Sequence, residues 1–89
     1  VSASRDVLIT NRRGLHARAS AKFVTLATQQ PITVQVAKGG STVTGTSIMG
    51  LMMLGAAKGD TITISAEGEN AASVVDVMCA LVEDKFGED

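Results

Sequence analysis

Tryptophan and tyrosine are absent from the sequence and phenylalanine occurs twice, so there is no material for the aromatic platforms on which single-stranded RNA or DNA stacks. Charge is scarce and balanced. Eight basic and nine acidic residues leave a net charge of -1, which gives no footprint for a nucleic-acid backbone. The single cysteine, Cys79, cannot close an intramolecular disulfide, and no Cys/His cluster has zinc-ligand spacing, so a reducing cytoplasm fits better than secretion. No apolar run has the length of a membrane span, and Val1 to Asp6 has no signal-peptide core. Also missing are a Walker-type phosphate loop, an acidic pair at metal-binding spacing and a Ser/His/Asp order. No cofactor and no metal are expected.

What is present is enough for one core. The chain has 89 residues, 45% of them apolar, and no linker, repeat or low-complexity tract divides it, so residues 1–89 are read as a single domain. Val7, Leu8 and Ile9 predict a short strand closed by the polar turn from Thr10 to Gly14. From Ala17 to Thr28, the residues Ala19, Ser20, Phe23, Val24, Leu26 and Ala27 recur at helical spacing. Ile32, Val34 and Val36 alternate with polar residues, and Gly39-Gly40 predicts a hairpin with both glycines at positive φ, leading into Ser41 to Thr44. Ser47 to Leu54 reads as a short helix capped by Ser47, and Ile62, Ile64 and Ala66 as a further strand. A last helix is expected from Asn70 to Phe86, with Val74, Val75, Met78, Leu81, Val82 and Phe86 on one face. The order βαββαβα calls for a two-layer α+β sandwich, an antiparallel sheet with helices on one face and the other face open. Cys79 falls at the edge of the buried face. The acidic ending, Glu83-Asp84 and Glu88-Asp89, reads as a solvated helix face and tail.

The one histidine, His16, follows Gly14-Leu15 at the mouth of the first helix, where the earliest backbone N–H groups lack intrahelical partners. Those amides and the positive end of the helix dipole favour an anion such as phosphate. Arg18 adds a guanidinium suited to phosphate oxygens, and Arg12 and Arg13 raise the local potential. Cationic surroundings disfavour the imidazolium and leave a ring nitrogen free to attack phosphorus. Phosphoryl transfer needs mainly positioning and charge neutralisation, so this sparse set can hold the group if partner proteins complete the site. A histidine at a helix start, taken alone, is equally a capping or surface residue.

The run Gly14-Leu15-His16-Ala17-Arg18-Ala19-Ser20 closely resembles the active-site signature of HPr, the histidine-containing phosphocarrier of the phosphoenolpyruvate-dependent phosphotransferase system. A second stretch, from Ser47 to Gly55, is similar to that family's regulatory-serine segment, and Ala57-Lys58-Gly59-Asp60 to the turn after it. The resemblance extends over nearly the whole chain. It implies an open-faced sandwich of four antiparallel strands with three helices on one side. It further implies a cytoplasmic monomer that accepts a phosphoryl group from enzyme I on Nδ1 of His16 and donates it to an enzyme IIA-type domain. Arg18 then steadies the phosphate, with the backbone of Ala17 and Arg18 binding it. Ser47 matches the serine modified by an HPr kinase/phosphorylase, whose product binds a transcriptional regulator; Thr46 is a weaker candidate. The family usually has proline where Ala19 stands, so a slightly less rigid first turn is expected.

The second helix is apolar nearly all round. Leu51 and Leu54 are assigned to the core, and Ile48, Met49, Met52 and Met53 to an exposed contact patch, bordered by Arg12, Ala19 and Ser20 near the histidine. Flexible methionines suit a protein that docks with several partners in turn. Two other readings compete: a regulatory module that docks through this helix and never carries phosphate, and a small phosphate-handling hydrolase that needs no partner.

Overall fold

Alternation of period two builds the sheet. Along β4 (Thr61–Glu67), Ile62, Ile64 and Ala66 are buried, and their neighbours line the open face. Val34 and Val36 do the same in β2 (Val34–Lys38), and Val7 in β1 (Ser2–Leu8). In the computed structural model, which describes residues 1–88, the four strands are antiparallel in the order β1-β4-β2-β3, with β3 at Ser41–Thr44. The register sets Val7 opposite Ile62, Val36 opposite Ile64 and Val34 opposite Ala66, which gathers the branched residues into one layer.

Three helices complete the order read from the sequence: α1 (Ala17–Thr28), α2 (Ile48–Met53) and α3 (Ala71–Glu83). Phe23 of α1 and Met78 of α3 are fully buried, as are Ile62 and Ile64 beneath them. Burial pushes the Cys79 thiol up, which suits a packed, unreactive side chain. Among the described residues no helix is long and apolar enough to cross a membrane.

Four details differ from the sequence reading. β1 begins at Ser2 rather than Val7. Its polar start hides an inward register: Ala3 packs on the core, while the guanidinium of Arg5, two residues on, reaches Glu83 at 2.9 Å and Asp76 at 3.4 Å on α3. An edge strand tolerates such a residue because its stem can lie on the helix while its charge stays wet. Glu83, the last residue of α3, thereby has a cationic partner. In the β2–β3 turn only Gly39 has positive φ. Ile9 is buried beyond the end of β1, where it exchanges backbone hydrogen bonds with Gly59 and Asp60.

The fourth difference matters most for the site. α3 stops at Glu83, and the chain turns through Lys85, Phe86 and Gly87, all at positive φ (57°, 55° and 75°). Left-handed backbone costs about 1–2 kcal/mol per residue other than glycine. Phe86 offsets that cost by returning, fully buried, to the core, and Lys22 Nζ donates to its carbonyl at 2.7 Å. The turn sends Glu88 back toward α1 instead of into solvent; Asp89 lies outside the described residues.

Candidate functional site around His16

The loop that carries His16 is fixed from three sides. Asn11 is fully buried; its Nδ2 donates to the Gly14 carbonyl at 2.8 Å, while the Gly14 N–H donates to the Asn11 carbonyl at 3.2 Å. Gly14 has φ of +65°, and a β-carbon there would lie 2.3 Å from the Ala56 carbonyl oxygen, so only glycine fits. Leu15 is buried and donates its N–H to that same carbonyl at 2.9 Å. The chain therefore enters α1 with His16 at the N-cap, in an extended conformation.

Both ring nitrogens of His16 are engaged. Nδ1 accepts the backbone N–H of Arg18 at 3.2 Å, and Nε2 lies 2.7 Å from Oε2 of Glu88. An amide can only donate and a carboxylate only accept, so these partners assign the proton to Nε2 and leave a lone pair on Nδ1. That lone pair points to the N-terminus of α1. The two side chains are each about 20% exposed. The other carboxylate oxygen of Glu88 accepts from Asn11 Nδ2 at 3.3 Å. Partial desolvation pushes the Glu88 carboxyl up, but the hydrogen bonds from His16 and Asn11 and the charge of Lys22 outweigh it, holding it below the usual carboxylate range.

Arg12, Arg13 and Arg18 are exposed and, with Glu88, line a shallow cleft beside the ring. Helix N-termini and guanidiniums both favour anions. Ala17 and Arg18 form the start of the first turn of α1. Ala19 and Ser20 do not belong to a contact surface: both are fully buried, and the Ser20 hydroxyl donates to the Leu15 carbonyl at 3.1 Å. Helical spacing had already put them on the face shared by Phe23 and Ala27, and that periodicity prevails.

The second region lies on α2. Ser47 caps it, its Oγ accepting the Gly50 N–H at 3.0 Å. Leu51 and Leu54 face inward, whereas Met49 and Met53 are 69% and 80% exposed and Ile48 and Met52 a little over 40%. The division between core and patch is the one expected from the sequence.

Glu88 was missed. It stands 72 positions from His16, and no local pattern marks an acidic residue that reaches the ring only because the chain reverses at Phe86. The expectation of positive surroundings that disfavour the imidazolium is corrected accordingly: a carboxylate contacts the ring at Nε2 and shares the cleft with the three arginines.

The chain is similar to known proteins over nearly its whole length. The family model described as the PTS HPr component phosphorylation site matches residues 3–84. A phosphocarrier protein HPr from Cupriavidus necator is 43% identical over 84 residues, 94% of each chain. A phosphocarrier protein NPr from Shewanella violacea is 39% identical over 94% of this chain and 92% of its own. The crystal structure of HPr-C-His from Thermoanaerobacter tengcongensis superposes with a TM-score of 0.91 at 37% identity, covering 98% of both chains. The chain thus belongs to the HPr family, the phosphocarrier component of the phosphotransferase system, and takes part in phosphotransfer without itself being a catalyst.

Proposed function

We propose that His16 is the residue that carries the phosphoryl group, through Nδ1, and that residues 1–89 act as one HPr-like domain in the cytoplasm. The observation behind this is the unprotonated Nδ1, whose lone pair accepts the backbone N–H of Arg18 at the N-terminus of α1. Phosphorylated enzyme I presents its phosphoryl group there. The Nδ1 lone pair forms the new N–P bond as the donor's bond to phosphorus breaks, its electron pair returning to the donor. The Arg18 N–H, released from Nδ1, then donates to a phosphate oxygen, the Ala17 amide donates beside it, and the Arg18 guanidinium neutralises charge. An enzyme IIA-type domain reverses the step with its own nucleophile.

Docking of both partners is assigned to the cleft edge at Arg12 and to Ile48, Met49, Met52 and Met53. Ser47 is proposed as a second, regulatory phosphorylation site for an HPr kinase/phosphorylase, whose product engages a transcriptional regulator. Phosphate at the start of α2 is electrostatically tolerated, but it places charge beside Met49 and alters docking without refolding the domain.

The decisive experiment is mass spectrometry after incubation with phosphoenolpyruvate, magnesium and enzyme I. The native protein is expected to gain one acid-labile phosphoryl group and His16→Ala none. Failure of the native protein to gain it, with an enzyme I active on another carrier, would overturn the assignment and leave a partner-binding module as the leading account.

A further inference from the structure

We propose that Glu88 is a positioning residue for phosphotransfer: by accepting the Nε2–H of His16 it keeps the proton on that nitrogen throughout the cycle, so that Nδ1 takes and gives the phosphoryl group while no proton moves. The inference rests on His16 being the carrier and adds a residue to that site.

The electron count shows why such a residue matters. When the Nδ1 lone pair bonds to phosphorus, the ring becomes cationic with its proton on Nε2, 2.7 Å from a carboxylate in the starting geometry. When the acceptor attacks phosphorus, the N–P electron pair returns to Nδ1 and a neutral imidazole departs, still protonated at Nε2. A ring that had lost this proton would have to depart as imidazolate, a far poorer leaving group. Glu88 therefore acts most strongly on the loaded carrier, as the counter-ion of the phosphorylated ring.

The other charged groups near the ring differ in their action. Arg12, Arg13 and Arg18 border the same cleft and favour the phosphate rather than the ring cation, and Lys22 lies against the carbonyl of Phe86. Glu88 is the acid that contacts the imidazole among the described residues.

Its placement is built into the fold. Lys85 and Phe86 accept left-handed backbone, Phe86 anchors the turn in the core, and Lys22 ties down the Phe86 carbonyl. Asn11 spends its amide N–H groups on the Gly14 carbonyl and on Glu88, leaving its own buried Oδ1 without a partner among the described residues. An unsatisfied buried acceptor is unfavourable, so the amide is set by what it donates to: the His16 loop and the carboxylate.

The test compares native protein, Glu88→Gln and Glu88→Ala, each loaded by enzyme I and repurified, for loss of the phosphoryl group to water between about pH 5 and 9. Hydrolysis needs no partner, so altered docking does not enter. Glutamine retains the side-chain length and an acceptor oxygen but removes the charge. All three proteins should lose phosphate equally fast in acid. As pH rises, the rate should begin to fall about one unit earlier in Glu88→Gln, making its phosphohistidine about tenfold longer-lived near pH 8. A purely structural role would alter stability and leave this profile in place. In the unphosphorylated proteins, ¹⁵N spectra of the ring should show a larger Nε2–H fraction in native protein than in Glu88→Ala. Superimposable hydrolysis profiles in proteins that all load at His16 would overturn the role of Glu88 alone. Failure of the native protein to load would overturn the carrier assignment and this inference together.

Discussion

α2 and α3 are both apolar helices, yet they use their side chains in opposite ways. α3 buries six of its thirteen residues, whereas α2 buries only Leu51 of its six. An apolar residue that faces the sheet stabilises the fold; one that faces water stabilises nothing until a partner covers it. α3 is thus part of the scaffold, and α2 leaves most of its apolar surface uncovered. Leu51 anchors α2 in the core, and polar ties hold its two ends. Ser47 caps its start, and at its exit Lys38 Nζ reaches the carbonyls of Leu54 and Gly55, both at 3.4 Å, and Asp60 Oδ2 at 3.3 Å.

The hardest test of the scaffold side is Phe86→Ala. Truncating this buried ring should cost about 3–5 kcal/mol, read as a lower urea midpoint; a loss below about 1 kcal/mol would mean that the tail is ornamental. Leu51→Ala and Met53→Ala divide α2 itself. The first should cost about 2–5 kcal/mol and the second less than about 0.5 kcal/mol, while only Met53→Ala should raise the KM of enzyme I at unchanged stability. Equal stability losses would abolish the distinction between core and patch.

The smallest effect concerns the polar ties. The Ala57 N–H and the Lys38 ammonium hold the Asp60 carboxyl below its ordinary 3.8, outweighing a small desolvation effect. A carboxyl lowered on folding contributes stability that is fully present above 3.8 and is lost as pH falls through its folded value. Acidification should therefore loosen the exit of α2, seen as lower protection of the Gly55 and Ala57 amides relative to the unfolded-chain exchange rate at the same pH, before α3 responds. Asp60→Asn should show that lower protection at neutral pH. Simultaneous loosening of both helices would indicate that α2 is as firmly held as α3.

The sheet and α1 were legible because Ile62, Ile64, Val34, Val36 and Phe23 repeat at the periods that their structures impose. His16, Arg18 and the methionine patch were legible because their chemistry is local: a helix start, adjacent cations and a hydrophobic surplus. The start of β1 was hidden because Arg5 occupies an inward edge position that alternation alone assigns to an apolar residue. Phe86 was placed correctly in the core but by the wrong route, since nothing in helical periodicity announces a left-handed turn. Glu88 depends on that turn and on Asn11, a long-range arrangement with no period to read.

The bond from Leu15 to the Ala56 carbonyl, with no room for a side chain at Gly14, also fixes how far the His16 ring stands from the residues just beyond α2. A rigid separation works as a gauge. Any protein that touches the ring and the methionines together must be cut to the same template, whether it arrives to load the carrier or to unload it. Two such visitors cannot sit there at once, so a tighter grip by either one would exclude the other.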